Sequence, residues 1–161
     1  MVKAIIYNSQ TGHTKQYAEM LSKKLEIPYY ELKEAKSRIN KNDNIIYLSW
    51  ICAGKIMKVN KVSRYNVISY GVVGAFPEDE NYINNLVTTN GLEKEKVFYL
   101  RGGINFIKLK GVNKLIVKIV GKVLEKNNKD NEELLKIFNE GASFVEEKNL
   151  EKMIDYIKQE E

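Results

Sequence analysis

Short runs of apolar and β-branched residues alternate along this chain with segments in which apolar residues recur every third or fourth position. The runs cover residues 2–7, 29–33, 44–50, 66–75 and 96–102, and each is rich enough in Val, Ile and Tyr to read as a strand. Between them, residues 14–25 put Tyr17, Ala18, Leu21 and Leu25 on one helical face, and residues 79–90 do the same with Ile83, Leu86 and Val87 before Gly91 stops the helix. Further on, residues 131–140 carry Leu134, Leu135 and Phe138, and Leu150, Met153, Ile154 and Ile157 stripe a last helix. The polar stretch 38–44 reads as a connection. Strands joined through helices build a parallel sheet covered on both faces, because a parallel crossover has to return over the sheet. The expectation is an α/β fold with a doubly wound, five-stranded parallel sheet. No internal repeat or low-complexity tract interrupts it, so residues 1–161 read as a single domain.

Between the first strand and the first helix stands Ser9-Gln10-Thr11-Gly12-His13-Thr14. A strand here delivers the chain to a tight, hydroxyl-rich turn, and the following helix aims its unpaired N–H groups and the positive end of its dipole back at that turn. Ser9, Thr11 and Thr14 can add hydroxyl donors, and Gly12 lets the backbone come close. The loop 8–14 contains no Lys or Arg, so a phosphate held by it meets only neutral dipoles. Neither G-x-x-x-x-G-K-[ST] nor G-x-G-x-x-G with an acidic residue downstream is present, which argues against triphosphate and dinucleotide sites and leaves a monophosphate. The plainer alternative is a helix start capped by a Ser or Thr hydroxyl, with no ligand. Doubly wound sheets bind ligands beyond the C-terminal ends of their strands, so the segments Trp50-Ile51-Cys52-Ala53-Gly54-Lys55-Ile56 and Gly71-Val72-Val73-Gly74-Ala75-Phe76-Pro77-Glu78 are the other candidate ligand loops.

The pattern Ser9-x-Thr11-Gly12-x-Thr14 after a first strand resembles the phosphate loop of the flavodoxin family, whose ligand is FMN. The likeness covers nearly the whole chain, through Ala53-Gly54 after the third strand and the Gly-rich turn after the fourth. It implies strand order 2-1-3-4-5, and FMN held by Ser9, Gln10, Thr11, Gly12, His13 and Thr14, by Trp50, Ile51, Cys52, Ala53 and Gly54, and by Gly74, Ala75 and Phe76. Within the family, Pro77-Glu78 and Phe98-Tyr99-Leu100-Arg101-Gly102-Gly103 followed by a long basic helical segment are similar to the flavodoxin-domain group that includes the menaquinone-dependent protoporphyrinogen oxidase. The resemblance thus implies an FMN redox protein of one of two kinds. One is a carrier that passes electrons to a redox partner protein. The other is an enzyme linked to a quinone, in which the loop 102–111 builds a pocket over the flavin and Arg101 or Lys108 meets porphyrinogen carboxylates. Trp50 could stack on the isoalloxazine or cap a strand end against the core, and Gly54 could permit a peptide flip that turns a carbonyl toward flavin N5–H. Lys55 would favour the anionic reduced flavin if it lay near N1, and is otherwise a solvated charge. Cys52 reads as a small apolar filler, since no base adjoins it, and His13 offers its backbone N–H whatever its side chain does.

Composition narrows the class further. Of 161 residues 43% are hydrophobic and 29% charged, with 10 Gly and 2 Pro, enough to bury a core and unlike a disordered chain. One Cys and one His point to neither a disulfide nor a metal centre. The absence of a long apolar run or a signal-peptide layout reads as a cytoplasmic protein. Residues 101–129 hold eight of the 26 basic residues and one of the 21 acidic ones, enough to make a chain of net charge +5 basic. Within them Lys110, Lys114, Lys118, Lys122 and Lys126 recur every fourth position, with Leu109, Val112, Leu115, Ile116, Ile119, Val120, Val123 and Leu124 on the other side. That segment could cover the sheet with its lysines solvated, dock an acidic partner, or rest on an anionic membrane surface. No base-reading module accompanies it, so nucleic acid is not an expected partner.

Overall fold

The computed structural model describes residues 1–127 and 132–160. Five parallel strands form the central sheet: β1 (Ala4–Asn8), β2 (Tyr29–Glu31), β3 (Asn44–Cys52), β5 (Asn66–Gly74) and β6 (Val97–Arg101) lie in the order β2-β1-β3-β5-β6. With the short β4 (Lys55–Ile56) discounted, this is the expected order 2-1-3-4-5. The expected strand at 29–33 is shorter, because a turn in which the Glu34 N–H donates to the Glu31 carbonyl at 2.8 Å ends it. The third strand instead runs to Cys52 and folds back antiparallel into β4, pairing Cys52 with Lys55. The expected connection 38–44 is found at residues 39–43, since Arg38 ends a short helix, α2 (Ala35–Arg38), and Asn44 opens β3.

Alternation along each strand divides the core in two. Ala4 and Ile6 of β1, Ile45 and Tyr47 of β3, Val72 of β5 and Val97 and Tyr99 of β6 face one side, where α2 and α3 (Glu80–Asn90) supply Ala35, Leu86 and Val87. Ile5, Tyr7, Ile46, Leu48, Val73 and Leu100 face the other, against Tyr17, Ala18 and Leu21 of α1 (His13–Leu25) and Met153 and Ile157 of α6 (Glu151–Glu160). A continuous apolar run buried on both faces is what a parallel strand between two helical layers requires. The Tyr17 hydroxyl ties the layers together beyond the sheet edge, donating to the Arg101 carbonyl at 2.6 Å while accepting from Asn149 Nδ2 at 2.6 Å.

A third cluster stands apart. β7 (Gly103–Ile104) pairs antiparallel with β8 (Ala142–Ser143), and the chain between them forms α4 (Gly111–Asn127) and α5 (Glu132–Glu140). These helices pack on each other around Leu109, Ile137 and Phe138, with Val117, Val120 and Leu124 of α4 and Phe76 beyond β5. Gly121 lies against Phe138, at a spot where a Cβ would stand 3.5 Å from that side chain's own. The basic segment is therefore not a helix laid on the parallel sheet; it is half of a helical pair set over the strands' C-terminal ends. Asn131, the expected start of the second helix, lies outside the described residues.

Candidate functional site

β1 ends at Asn8, whose amide Nδ2 donates to Ser49 Oγ at 3.1 Å across to β3, and the chain then turns sharply into α1. Gly12 occupies the cap position with φ 106°, a conformation that a side chain would strain. Its N–H donates to Ser9 Oγ at 3.2 Å, so the Ser9 hydroxyl fastens the turn. No side chain caps the helix. The plain reading of a hydroxyl-capped helix start therefore fails here, and the N–H groups of the first turn open toward the loop without an intrahelical acceptor. His13 and Thr14 are buried at the base of that opening, and Thr11 Oγ1 lies 3.3 Å from His13 Nδ1. Burial, and after it the nearby Lys108 ammonium, hold the His13 imidazole below its ordinary pKa, which favours the neutral ring.

The second wall is the β3–β4 hairpin. Its two turn residues, Ala53 and Gly54, both have positive φ, 48° and 75°, as a two-residue hairpin whose twist matches its strands demands. Asn90, the last residue of α3, braces it: Nδ2 donates to the Gly54 carbonyl at 3.1 Å and Oδ1 accepts from the Ile56 N–H at 2.9 Å. The Gly54 carbonyl is thus engaged on the α3 side. Trp50, Ile51 and Cys52 precede the turn at the end of β3. The third wall is Gly74-Ala75-Phe76, where Phe76 stacks obliquely on Phe138 at 5.4 Å between ring centroids and on Tyr82 at 6.0 Å.

These three walls border a cavity of about 290 Å³. Of the residues expected at the site, Gln10, Thr11, His13, Thr14, Trp50, Ile51, Cys52, Ala53, Gly54, Gly74, Ala75 and Phe76 all line it, while Ser9 and Gly12 stand behind as the turn's frame. Lys55 does not line it and is exposed on β4.

A fourth wall joins Gly103, Ile104, Asn105 and Leu109, from the stretch 102–111 expected to build a pocket, with residues of α4 that the sequence reading does not bring to the site. Asn113, Ile116, Val117 and Val120 of α4 close the cavity on the side away from the sheet, and Asn113 Nδ2 donates to Gln10 Oε1 at 2.7 Å, fastening α4 to the loop at the start of α1. Lys108, just ahead of α4, reaches the same loop: its Nζ lies 3.4 Å from where a Gly12 Cβ would stand. The loop 8–14 has no cation of its own, but the fold brings one to it from about a hundred residues away. Lys108 thus faces the loop at the head of α1. Arg101, the other cation considered for a substrate, is spoken for: its guanidinium pairs with Glu133 at 2.6 Å and lies 3.8 Å over the Phe144 ring.

An uncapped helix start beside an ammonium can hold a dianion, and an apolar slot between a Trp-bearing strand end, a Gly turn and an aliphatic helix face can hold a planar ring system. A search among curated proteins finds no match for the chain. The profile of the flavodoxin domain matches residues 4–131, and the chain belongs to that family, whose members typically bind flavin and act in redox chemistry.

Proposed function

We propose that the chain binds FMN and transfers electrons through it. The observation that carries this reading is the meeting of an uncapped α1 N-terminus, a Gly12 turn and the Lys108 ammonium at one end of an apolar slot. The N–H groups of the first α1 turn would take the phosphate oxygens, with Thr11 and Thr14 adding hydroxyls and Lys108 adding charge. Trp50 to Gly54 on one side and Gly74 to Phe76 on the other would flank the ring, and Ile116, Val117 and Val120 would keep water from its outer side. Bound there, FMN supplies the one- and two-electron chemistry that protein side chains lack.

Titration of the purified protein with FMN, followed by calorimetry and flavin fluorescence, tests this. One FMN should bind per chain with its fluorescence quenched. Gly12→Val should weaken binding at least tenfold while leaving the far-ultraviolet circular dichroism unchanged. Absence of binding, or full affinity in Gly12→Val, would defeat the proposal.

One observation favours a second reading, an enzyme similar to the menaquinone-linked protoporphyrinogen oxidase. The slot is roofed by α4 and α5, giving an apolar enclosure in which an organic substrate could meet the ring, where a pure carrier needs only an accessible flavin edge. Protoporphyrinogen and a menaquinone analogue added to the FMN-loaded protein distinguish the two: flavin bleaching and recovery support the enzyme, and an inert flavin supports the carrier.

A further inference from the structure

One face of α4 is apolar and covered by nothing among the described residues. Val112 is 72% exposed, Leu115 58%, Ile119 52% and Val123 49%, and Ile107 just before the helix is 94% exposed. These four helical positions, spaced three or four apart, form one continuous stripe along more than three turns. They are a separate face from the one that packs inward, where Val117, Val120 and Leu124 meet α5. So large a run of exposed aliphatic surface is unusual and marks a surface that meets something.

Charge says what that something is. Lys114, Lys118, Lys122 and Lys126 run beside the stripe, each one turn from the next, and Lys110 precedes them. Among the described residues no carboxylate pairs with any of the five; the nearby Glu125 instead accepts from Asn139 Nδ2 of α5 at 3.3 Å. Like charges one turn apart repel, so an uncompensated row beside bare Leu, Ile and Val is costly in water on both counts. An anionic bilayer relieves both, with aliphatic side chains entering the acyl boundary and ammonium groups lying among phosphate headgroups. A second copy of the chain would answer the apolar stripe but would bring another row of lysines against the first.

We infer that α4 is a docking face for an anionic lipid bilayer, seated by Ile107, Val112, Leu115, Ile119 and Val123 and held by Lys114, Lys118, Lys122 and Lys126. No described helix is long and apolar enough to cross a membrane, so the attachment is peripheral. The same helix walls the cavity through Ile116, Val117 and Val120, which puts the roof of the slot at the lipid surface. This inference stands whether or not FMN is the ligand.

Co-sedimentation with vesicles of phosphatidylglycerol and phosphatidylcholine, against vesicles of phosphatidylcholine alone, is the test. The chain should pellet with the anionic vesicles, fade as salt rises, and stay in solution with the neutral ones. Each headgroup lysine contributes about a fivefold factor in partitioning, so Lys114→Gln, Lys118→Gln and Lys122→Gln together should weaken it on the order of a hundredfold. Leu115→Gln with Ile119→Gln, two exposed changes that leave the core intact, should weaken it independently. The same number of changes elsewhere, Lys36→Gln, Lys41→Gln and Lys61→Gln, should not. Failure to pellet with anionic vesicles overturns the inference. So does unchanged binding in the α4 variants, or a dimer in sedimentation velocity that Leu115→Gln with Ile119→Gln dissolves.

Discussion

A phosphate held only by amide N–H groups and hydroxyls binds with little dependence on ionic strength, whereas one that also meets an ammonium loses affinity as salt screens the pair. Lys108 Nζ stands at the Gly12 turn, so the second behaviour is expected. Lys108→Gln should raise the FMN dissociation constant about fivefold, the ~1 kcal/mol scale of an exposed ion pair, and flatten its salt dependence. Riboflavin, which lacks the phosphate, should bind wild type and variant alike; calorimetry with both ligands at two salt concentrations separates a charge effect from a structural one. His13 adds a pH dependence. It is the one histidine of the chain, and burial together with Lys108 lowers its folded pKa. Below the ordinary imidazole value of about 6.5, the unfolded chain therefore binds a proton that the folded chain refuses. The unfolded state holding more protons means that stability rises with pH in that window and falls on acidification. Urea unfolding of the ligand-free protein at pH 7.5 and 5.5 should show a loss of up to ~1.4 kcal/mol from this group, and His13→Asn should remove most of that difference. An equal loss in the variant would assign it to other groups.

Among the elements, the turn of the β3–β4 hairpin is braced by Asn90 at the end of α3. Asn90→Ala leaves the Gly54 carbonyl and the Ile56 N–H without their partners, and should cost about 1–3 kcal/mol in denaturant unfolding. It should also weaken FMN binding, since the Trp50 to Gly54 wall loses its brace; a stability loss with unchanged affinity would mean that the wall is set by β3 alone. This hairpin also marks a boundary of what the chain discloses before it is folded. The strands were legible because β1 and β3 are apolar runs flanked by polar turns, and the phosphate turn was legible because its hydroxyls, glycine and strand are contiguous. The hairpin was not, because it lacks an Asn-Gly or Asp-Gly pair and places Ala53 at φ 48°, a conformation that alanine rarely adopts. Lys108 was invisible as a phosphate-loop cation for a different reason: nothing local links it to Gly12, and only the return of the chain past β6 brings them together. In α4 the sequence gathers Val112, Leu115, Ile116, Ile119, Val120, Val123 and Leu124 into one broad apolar side, and only the position of α5 decides which half is covered.

At the scale of the molecule, everything from residue 105 to residue 141 is inserted across one small ladder. Ile104 pairs with Ala142 and Gly103 with Ser143, so the chain could pass from one strand to the other through a two-residue turn. Neither of the two clusters that cover the sheet contains a described residue of the insertion; its inward apolar side chains pack in the third cluster, around Leu109, Ile137 and Phe138. Cooperative stability should follow the first two clusters and ligand retention the third. Replacing residues 105–141 with Asn-Gly, the pair suited to a type I′ turn, should therefore give a protein that still unfolds in a single transition with its α/β circular dichroism preserved. It should hold FMN more weakly, because Lys108 and Asn113 are gone from the Gly12 loop, and its bound flavin should be reached by iodide, because Ile116, Val117 and Val120 no longer roof the slot. Vesicle binding should vanish with α4. Loss of cooperative folding on this deletion would show that the helical pair belongs to the core of the fold, and undiminished protection of the flavin would show that the walls from the sheet suffice to enclose it.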